Sequence, residues 1–502
     1  MSVQNVQFMK PELSRKLDIY NLIKNCIGGQ GDIKEQREKY LPAPNAYDKS
    51  IENKARYNAY LERALFYNAT SGTLNGLVSQ IFMRDPEIIL PTLLEPLRED
   101  ANGAGVSLVQ LAKRAAGNTI AYGRNGIFVD FPIVETSSTV NQVKLGFVRP
   151  TISIYEPWQI INWRTRTVGA KQMLSVVVIK EFVDSESDDF ETEKVTQYRV
   201  LRLGASKDNP IPKIKKDEST YTIEIWSNKG QKDPSEFGVL ESYQPKDADG
   251  NFMSEIPFMF IGSTNNDNFI DNPPLGDLAV LNIAHYRNSA DYEESCFITG
   301  QPTPWFSGLT ETWVKDVLKG KVELGCRAAV PLPEKGLAGL LQAEPNTMPR
   351  EAMLDKQKMM VAIGAKLIEQ SNIEKTATEV SFDKSSEMSI LESTTKNVNE
   401  GFSKALKWCA SFISIGEEGL SFKMNDDFKI SSLSPEDRRM QLEEWQGGLL
   451  SWTEARENLR RSNISSLSNE DAKSEIDKEQ ELRMSRIESL KIGKDRENEE
   501  KV

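Results

Sequence analysis

The sequence predicts an α+β fold, on three observations. Residues 47–122 carry apolar positions at intervals of three and four, and helical spacing returns from 275 onwards. The stretch between, from about 124 to 262, alternates or runs apolar between Gly, Pro, Asn and Asp clusters, the pattern of strands and turns. Helical and strand-like character are therefore segregated along the chain.

Taken in order, Tyr60, Ala64, Tyr67, Leu74, Leu77, Val78 and Ile81 form the stripe of the first helices, and RDPEIILP ends them, because Pro86 cannot sit inside a helix and biases Asp85 away from helical geometry. Ser107 is placed to cap a helix over 107–122. GRNGIFVDFP reads as a turn into a strand, and LSVVVIKEFV, VTQYRVLRL, STYTIEIWSN and IPFMFIG read as further strands. Strand order stops at Gly262, after which GSTNNDNFIDNPP reads as a floppy loop.

Three helical segments follow, at 275–297, about 347–370 and about 384–414. In the last, Met388, Leu391, Thr395, Val398, Phe402, Ala405, Cys409 and Phe412 make one seam over about seven turns, which predicts a core helix. The first is different. Leu278, Leu281, His285, Tyr292 and Cys296 share a thin stripe, while Asp277, Arg287, Asp291, Glu293 and Glu294 occupy the other faces. A helix of that length spans about 34 Å, and so narrow an apolar face predicts a strut packed among copies of itself. Near the C-terminus Ser434, Pro435 and Asp437 open a helix that Gly447 and Gly448 close, and Ser451 with Glu454 forms a capping box for the next. Beyond Ser468 the chain is almost entirely charged, which predicts a solvated helix fraying into disorder after about Gly493.

Bulk properties narrow the function. A chain of 502 residues has room for two or three domains, and its net charge of -12, from 74 acidic against 62 basic side chains, repels a phosphate backbone unless cations cluster. The densest basic run, PKIKK at 212–216, reads as a solvated strand edge or turn. Cys26, Cys296, Cys326 and Cys409 lack metal-ligand spacing and fit a reducing compartment. The N-terminus has no apolar run behind a basic start, and no window approaches the roughly 18 apolar residues of a membrane span, so a soluble intracellular protein is expected.

Enzymatic motifs are missing. There is no GxxxxGK[ST]; ANGAGVSL at 101–108 lacks the lysine and the preceding strand. The one histidine, His285, rules out HExxH zinc chemistry and would have to serve a Ser-His-Asp triad from mid-helix, so it is expected to be a packed, hydrogen-bonded residue. Asp426 and Asp427 in MNDDFKI would point to opposite faces of a strand and share a metal poorly. No catalytic residue, cofactor or metal site is expected. A carboxylate-dependent metal enzyme acting on nucleic acid or phosphate esters stays open as the alternative, using acids that sequence alone cannot pair.

The order of elements carries a resemblance. IPFMFIGSTNNDN, then PLGDLAVLNIAHYRNSADYEE, then QPTPWFSGLTETWVKDVLKGKVELGCRAAVPLPEKG, then two helices separated by TATEVSFDKS, resembles the portal proteins of tailed bacteriophages. FKMNDDFKISSLSPEDRRMQLEEWQGGLLSWTEARENLRRSNI is similar to that family's strand with an Asn-Asp-Phe core followed by two short helices. The match spans roughly 45–480 as an ordered series, and the strand-rich 133–255 departs from better-known members.

The resemblance implies a mixed α/β wing at 1–272, a first stem helix at 273–297, a small α/β clip at 298–345 and a second stem helix at 346–370. A channel loop at 371–383, a long wing helix and returning strand at 384–433, and a helical crown with a charged tail at 434–502 complete it. About twelve copies would form a ring at one capsid vertex, assembled in the host bacterial cytoplasm, through which double-stranded DNA passes without sequence-specific contacts. The implied partners are other copies of the chain, the terminase large subunit, a head-completion or tail adaptor protein, and the major capsid and scaffolding proteins, with no membrane. Leu278, Leu281, His285 and Tyr292 would pack the stem; Pro302, Pro304, Trp305, Phe306 and Trp313 mark the clip, with the three aromatics as its partner anchors. Lys375, Thr376, Thr378, Glu379 and Lys384 would face DNA. Few cations suit that place, because each Lys or Arg that pairs with a phosphate releases counterions and tightens the grip on a duplex that must slide. Reversing Glu374 and Glu379 to lysine is expected to slow packaging or ejection, measured as the rate at which heads fill or empty; unchanged rates would count against a sliding channel here.

Overall fold

The computed structural model describes residues 5–131, 149–185, 193–204, 220–228, 236–301, 303–322, 330–342, 346–367, 389–426, 435–461 and, with short gaps, 465–483. The fold is mixed α and β, with two compact units, 1–426 and 427–502.

The first unit opens with a helix at Leu17–Gly28 (α1), followed by Ile51–Arg63 (α2) and Ala69–Ile81 (α3). Ser50 and Asn68 each accept a backbone N–H three residues on, and these two caps split the 47–82 stripe into two helices with a connector at 64–68. After a short strand, Glu87–Ile89 (β1), helix Leu108–Tyr122 (α4) starts at a full capping box between Ser107 and Gln110 and stops at Gly123 in the left-handed conformation.

The strands are Arg124–Asp130 (β2), Thr151–Tyr155 (β3), Ile160–Val168 (β4), Lys171–Ser185 (β5), Glu193–Leu203 (β6), Tyr221–Ser227 (β7), Gly238–Tyr243 (β8) and Phe258–Gly262 (β9). β4 to β8 make one antiparallel meander in chain order; β2 sits between β3 and β9 in a second antiparallel sheet. Ile161, Val178, Tyr198, Val200 and Trp226 form one face of the meander, and the N-terminal segment lays Val6 and Met9 over it.

Helices Gly276–Thr299 (α5), Met348–Lys366 (α6) and Ile390–Phe412 (α7) follow, with strands Thr303–Ser307 (β10) and Leu337–Leu341 (β11) between the first two. Strand Ser421–Lys423 (β12) returns to pair with β1. α7 is a core helix: Leu391, Thr395, Val398, Phe402, Ala405, Cys409 and Phe412 are all buried, against α4, β2 and β9. Gly401 permits the contact, since a Cβ there would fall 2.7 Å from Ile261 Cδ1. Met388 lies outside the described residues.

Two expectations are corrected. The loop after Gly262 is firmly stitched down: Asn397 Nδ2 donates to the Gly262 carbonyl (2.8 Å), Ser393 Oγ to that of Ser263 (2.8 Å), and Asn266 Nδ2 to Glu400 (2.8 Å). Asp271 accepts from the Thr264 N–H at 2.8 Å and the Asn268 carbonyl accepts from Trp163 Nε1 at 3.0 Å. Asn and Asp are abundant there because their side chains supply the backbone with partners, not because the segment is loose. Within the returning segment SFK at 421–423 is strand, and Met424, Asn425 and Asp426 follow it outside the ladder, with the Met424 N–H on Asn399 Oδ1 (2.8 Å); Asp427 and Phe428 of the Asn-Asp-Phe stretch lie outside the described residues. The strut reading of 275–297 fails over its N-terminal two-thirds, where Leu278, Ala279, Asn282, Ile283, His285, Tyr286, Ser289 and Ala290 are buried inside the protomer.

In the second unit, Pro435–Gln446 (α8) ends at Gly447 and Gly448, and Trp452–Arg461 (α9) begins at the Ser451–Glu454 capping box, with Glu454 N–H on Ser451 Oγ at 3.2 Å and Ser451 N–H on Glu454 Oε2 at 2.9 Å. A further helix covers 471–483. Ser434, PKIKK and the chain beyond 483 lie outside the described residues.

One arginine ties the two sheets of the first unit together. Glu181 on β5 accepts from Tyr155 Oη (2.6 Å), Gln197 Nε2 (2.7 Å) and Arg199 Nε (2.9 Å), and Arg199 Nη1 donates to Asp130 Oδ2 on β2 (3.0 Å). Burial pushes the Asp130 carboxyl above its ordinary range while the Arg199 charge pulls it back. Arg199→Met would leave two withdrawn carboxylates facing each other; the expected loss is roughly 3 kcal/mol of unfolding free energy, read from urea denaturation, with partial recovery in Arg199→Lys.

Candidate functional site

The segment with most to say about function is α5, the ribbon β10–β11 and α6. The two helices run antiparallel. Gln357 Nε2 lies 3.2 Å from His285 Nε2, and Lys356 Nζ donates to Asn288 Oδ1 at 2.6 Å, so residue numbers fall on one helix as they rise on the other.

α5 is held on its other side by the connector between α2 and α3. Asn282 Oδ1 accepts from the Thr70 N–H (3.1 Å) and Thr70 Oγ1 (2.9 Å), while its Nδ2 donates to the Tyr67 carbonyl (2.7 Å). Seven residues later Ser289 Oγ donates to the Leu65 carbonyl (2.6 Å) and accepts from the Leu65 N–H (3.2 Å). Two turns of helix separate these side chains, which puts both on one face and matches the rise of the connector. Neither residue stood out in the sequence, because polar side chains on a helix read as its wet face. Their only signal was their spacing within the buried set. Farther along, Tyr60 Oη donates to Asp291 Oδ1 (2.7 Å), Arg63 pairs with Glu294, and the Arg63 guanidinium lies 4.1 Å from the Phe297 ring centre.

Of the four residues assigned to stem packing, Leu278 and His285 are buried, and Leu281 and Tyr292 are half-buried. His285 packs beside Tyr67 (5.7 Å between ring centres). With Gln357 donating to Nε2 the imidazole proton belongs on Nδ1, which has no hydrogen-bond partner among the described residues. Burial, and then the Lys356 charge, hold its pKa below 6.5.

The ribbon is the exposed end of the assembly. Trp305 lies across from Gly339, whose missing side chain seats the indole: a Cβ there would come within 2.9 Å of the ring. Trp305 is still 44% exposed, and Leu337, Leu340 and Leu341 are each more than 60% exposed. Phe306 is half-buried, and half-buried Trp313 donates from Nε1 to the Pro331 carbonyl at 3.2 Å. The leucines were not among the expected anchors. Lys375, Thr376, Thr378, Glu379 and Lys384, the expected channel residues, lie outside the described residues, as do Pro302, Cys326 and Asp427.

The glycine-rich stretch at 101–108 uses its Gly103 and Gly105 amides internally. The glycines of 101–108 fold around a protein carboxylate: Asp100 Oδ1 accepts from the N–H groups of Gly103 (2.8 Å) and Gly105 (2.9 Å), and Arg149 pairs with its other oxygen. Those amides are unavailable to a phosphate. Among the described residues no group of three or more His, Cys, Asp or Glu could hold a metal ion, and no helix is long and apolar enough to cross a membrane.

Because the chain has one imidazole, its titration can be followed alone. The unfolded chain takes up that proton at the ordinary value, whereas folded His285 takes it up only at lower pH, so its contribution to stability is full above about 6.5 and is lost as pH falls through the folded value. The single imidazole proton resonance is expected to titrate below 6.5, and the drop in urea midpoint between pH 7.5 and 5.5 is expected to shrink in His285→Gln.

A family model described as a domain of unknown function (DUF4055) matches residues 274–413, the stretch from α5 through α7. No curated protein matches. Among solved structures, the chain is similar to a chain of the virion of a native gene transfer agent particle, at 11% identity and a TM-score of 0.39, covering 80% of this chain and 90% of that one. A score at that level does not establish a shared fold.

Proposed function

We propose that this chain is a portal-type ring subunit: a structural conduit at one vertex of a phage capsid, through which DNA is packaged and ejected, and a docking site for the packaging terminase and the tail adaptor. The observation that carries the reading is the unfinished state of α5, its ribbon and α6 in a single protomer. A two-stranded ribbon is marginal in water without a covering layer, yet β10–β11 has no third strand among the described residues and turns three leucines and an indole outward. α6 likewise exposes Leu354, Met359 and Val361. Neighbouring copies in a closed ring would cover both surfaces by one repeated contact.

The order of elements agrees with this reading: two long antiparallel helices carry a small α/β tip away from a β-rich body, and a third long helix returns into that body. About twelve copies, and a DNA-facing loop between α6 and α7, follow from the resemblance and belong to the proposal. Purified protein is expected to run as a large oligomer by light scattering and to show rings with a central hole in negative stain. A compact monomer at high concentration would remove the proposal. Leu340→Glu with Leu341→Glu is expected to lower ring yield while the protomer keeps its helical circular dichroism.

A further inference from the structure

We infer that the groove between α3 and α6 is the seat for α6 of a second copy, an inference that rests on the ring reading and specifies one of its contacts. The groove encloses about 470 Å³ and is lined by Gly72, Gly76 and Leu77 of α3 and by Met360, Val361 and Gly364 of α6.

Two of its glycines, Gly72 and Gly76, have no packing reason among the described residues. Gly in a helix interior is unfavourable relative to Ala, and it persists where a backbone must come close to something. At Gly401 that something is Ile261; at Gly72 and Gly76 an added Cβ would meet no atom within 4 Å. The close neighbour is therefore not among the described residues of this protomer.

Charge says what kind of neighbour. From Ala64 to Met83 the sequence has no charged side chain, in a protein that is 27% charged, although Leu65, Tyr67 and Met83 are each more than half exposed. Solvated helix faces carry charge; interface centres lack it. Val361, 73% exposed, extends the same neutral surface onto α6. Behind Tyr67 and Gln357, on the rim of the groove, lies His285 with its unpartnered Nδ1.

The matching surface is on the same molecule. Gln357, Met360, Val361 and Gly364 recur at helical spacing on the groove side of α6, whereas Leu354, Lys358 and Ala362, at steps of four, occupy an exposed outer face flanked by Met359. The Lys358 ammonium pairs with Asp355 (3.8 Å), so this ridge brings no lone lysine to a neutral groove. One copy's ridge in the next copy's groove is a heterologous contact; repeated with rotation, it closes a ring.

Two differently tagged chains, one Gly76→Cys and the other Ala362→Cys or Lys358→Cys, both in a Cys296→Ser, Cys326→Ser background, test the contact after co-expression and mild oxidation. A disulfide-linked heterodimer from the mixture, absent from each variant alone, is the expected result. Rings without that link for either pairing would overturn the inference and leave the ring reading standing; absence of rings in the unmodified protein would overturn both. Gly72→Leu with Gly76→Leu gives an independent readout, since no described residue of the protomer fills the space. Its melting temperature is expected to hold or rise while assembly is lost, and unchanged assembly would overturn the inference.

Discussion

The hydrogen bonds from Asn282 and Ser289 to the connector at 64–68 and the first turn of α3 are the constraint around which the first unit is arranged. A connector between two helices carries backbone groups that no ladder satisfies, and burying it is tolerable only if each finds a partner. α5 supplies those partners from two side chains on one face. The bonds fix the angle of α2 and α3 against α5 and the depth to which α5 enters the body. They also determine where its free end begins, just beyond Ala290.

That division of α5 governs the rest of the molecule. Its first part is packed on several sides, and its last turns are half-buried or exposed, with the Tyr60–Asp291 and Arg63–Glu294 contacts on one flank. Residues of α6 opposite the buried part are withdrawn, such as Met360 at 2% exposure, while its outer face and the ribbon beyond are open. A rigid anchor at one end and uncovered apolar surface at the other suit a piece of a larger assembly. The two features need each other, because a neighbour can be positioned accurately only by helices whose own bases do not move.

The β-rich part is anchored by different chemistry. Arg124, at the head of β2, is buried with its guanidinium 3.5 Å from the Phe260 ring centre and 4.2 Å from that of Trp163, and burial lowers its pKa to about 9, which leaves it charged at neutral pH. The Asn-rich loop covers this stack and joins β9 to α5, with α7 behind it. Side-chain amides of Asn266 and Asn397 tie this loop to α7.

Periodicity alone determined the elements. The seam of α7, the caps at Ser107 and Ser451, the breaks at Pro86 and Gly262 and the strands 174–183 and 195–203 are all local, set by spacing and by residues whose backbone preferences act over a few positions. Neighbours across the fold decided what periodicity could not show. Asn282 and Ser289 are polar positions of a helix and are buried; 262–274 reads as loose and is held; Leu337, Leu340 and Leu341 are apolar and are exposed. In each case the side chain's fate depends on whether a polar partner or a covering surface arrives from a distant part of the chain, or from another copy, and hydropathy at one position carries no information about that.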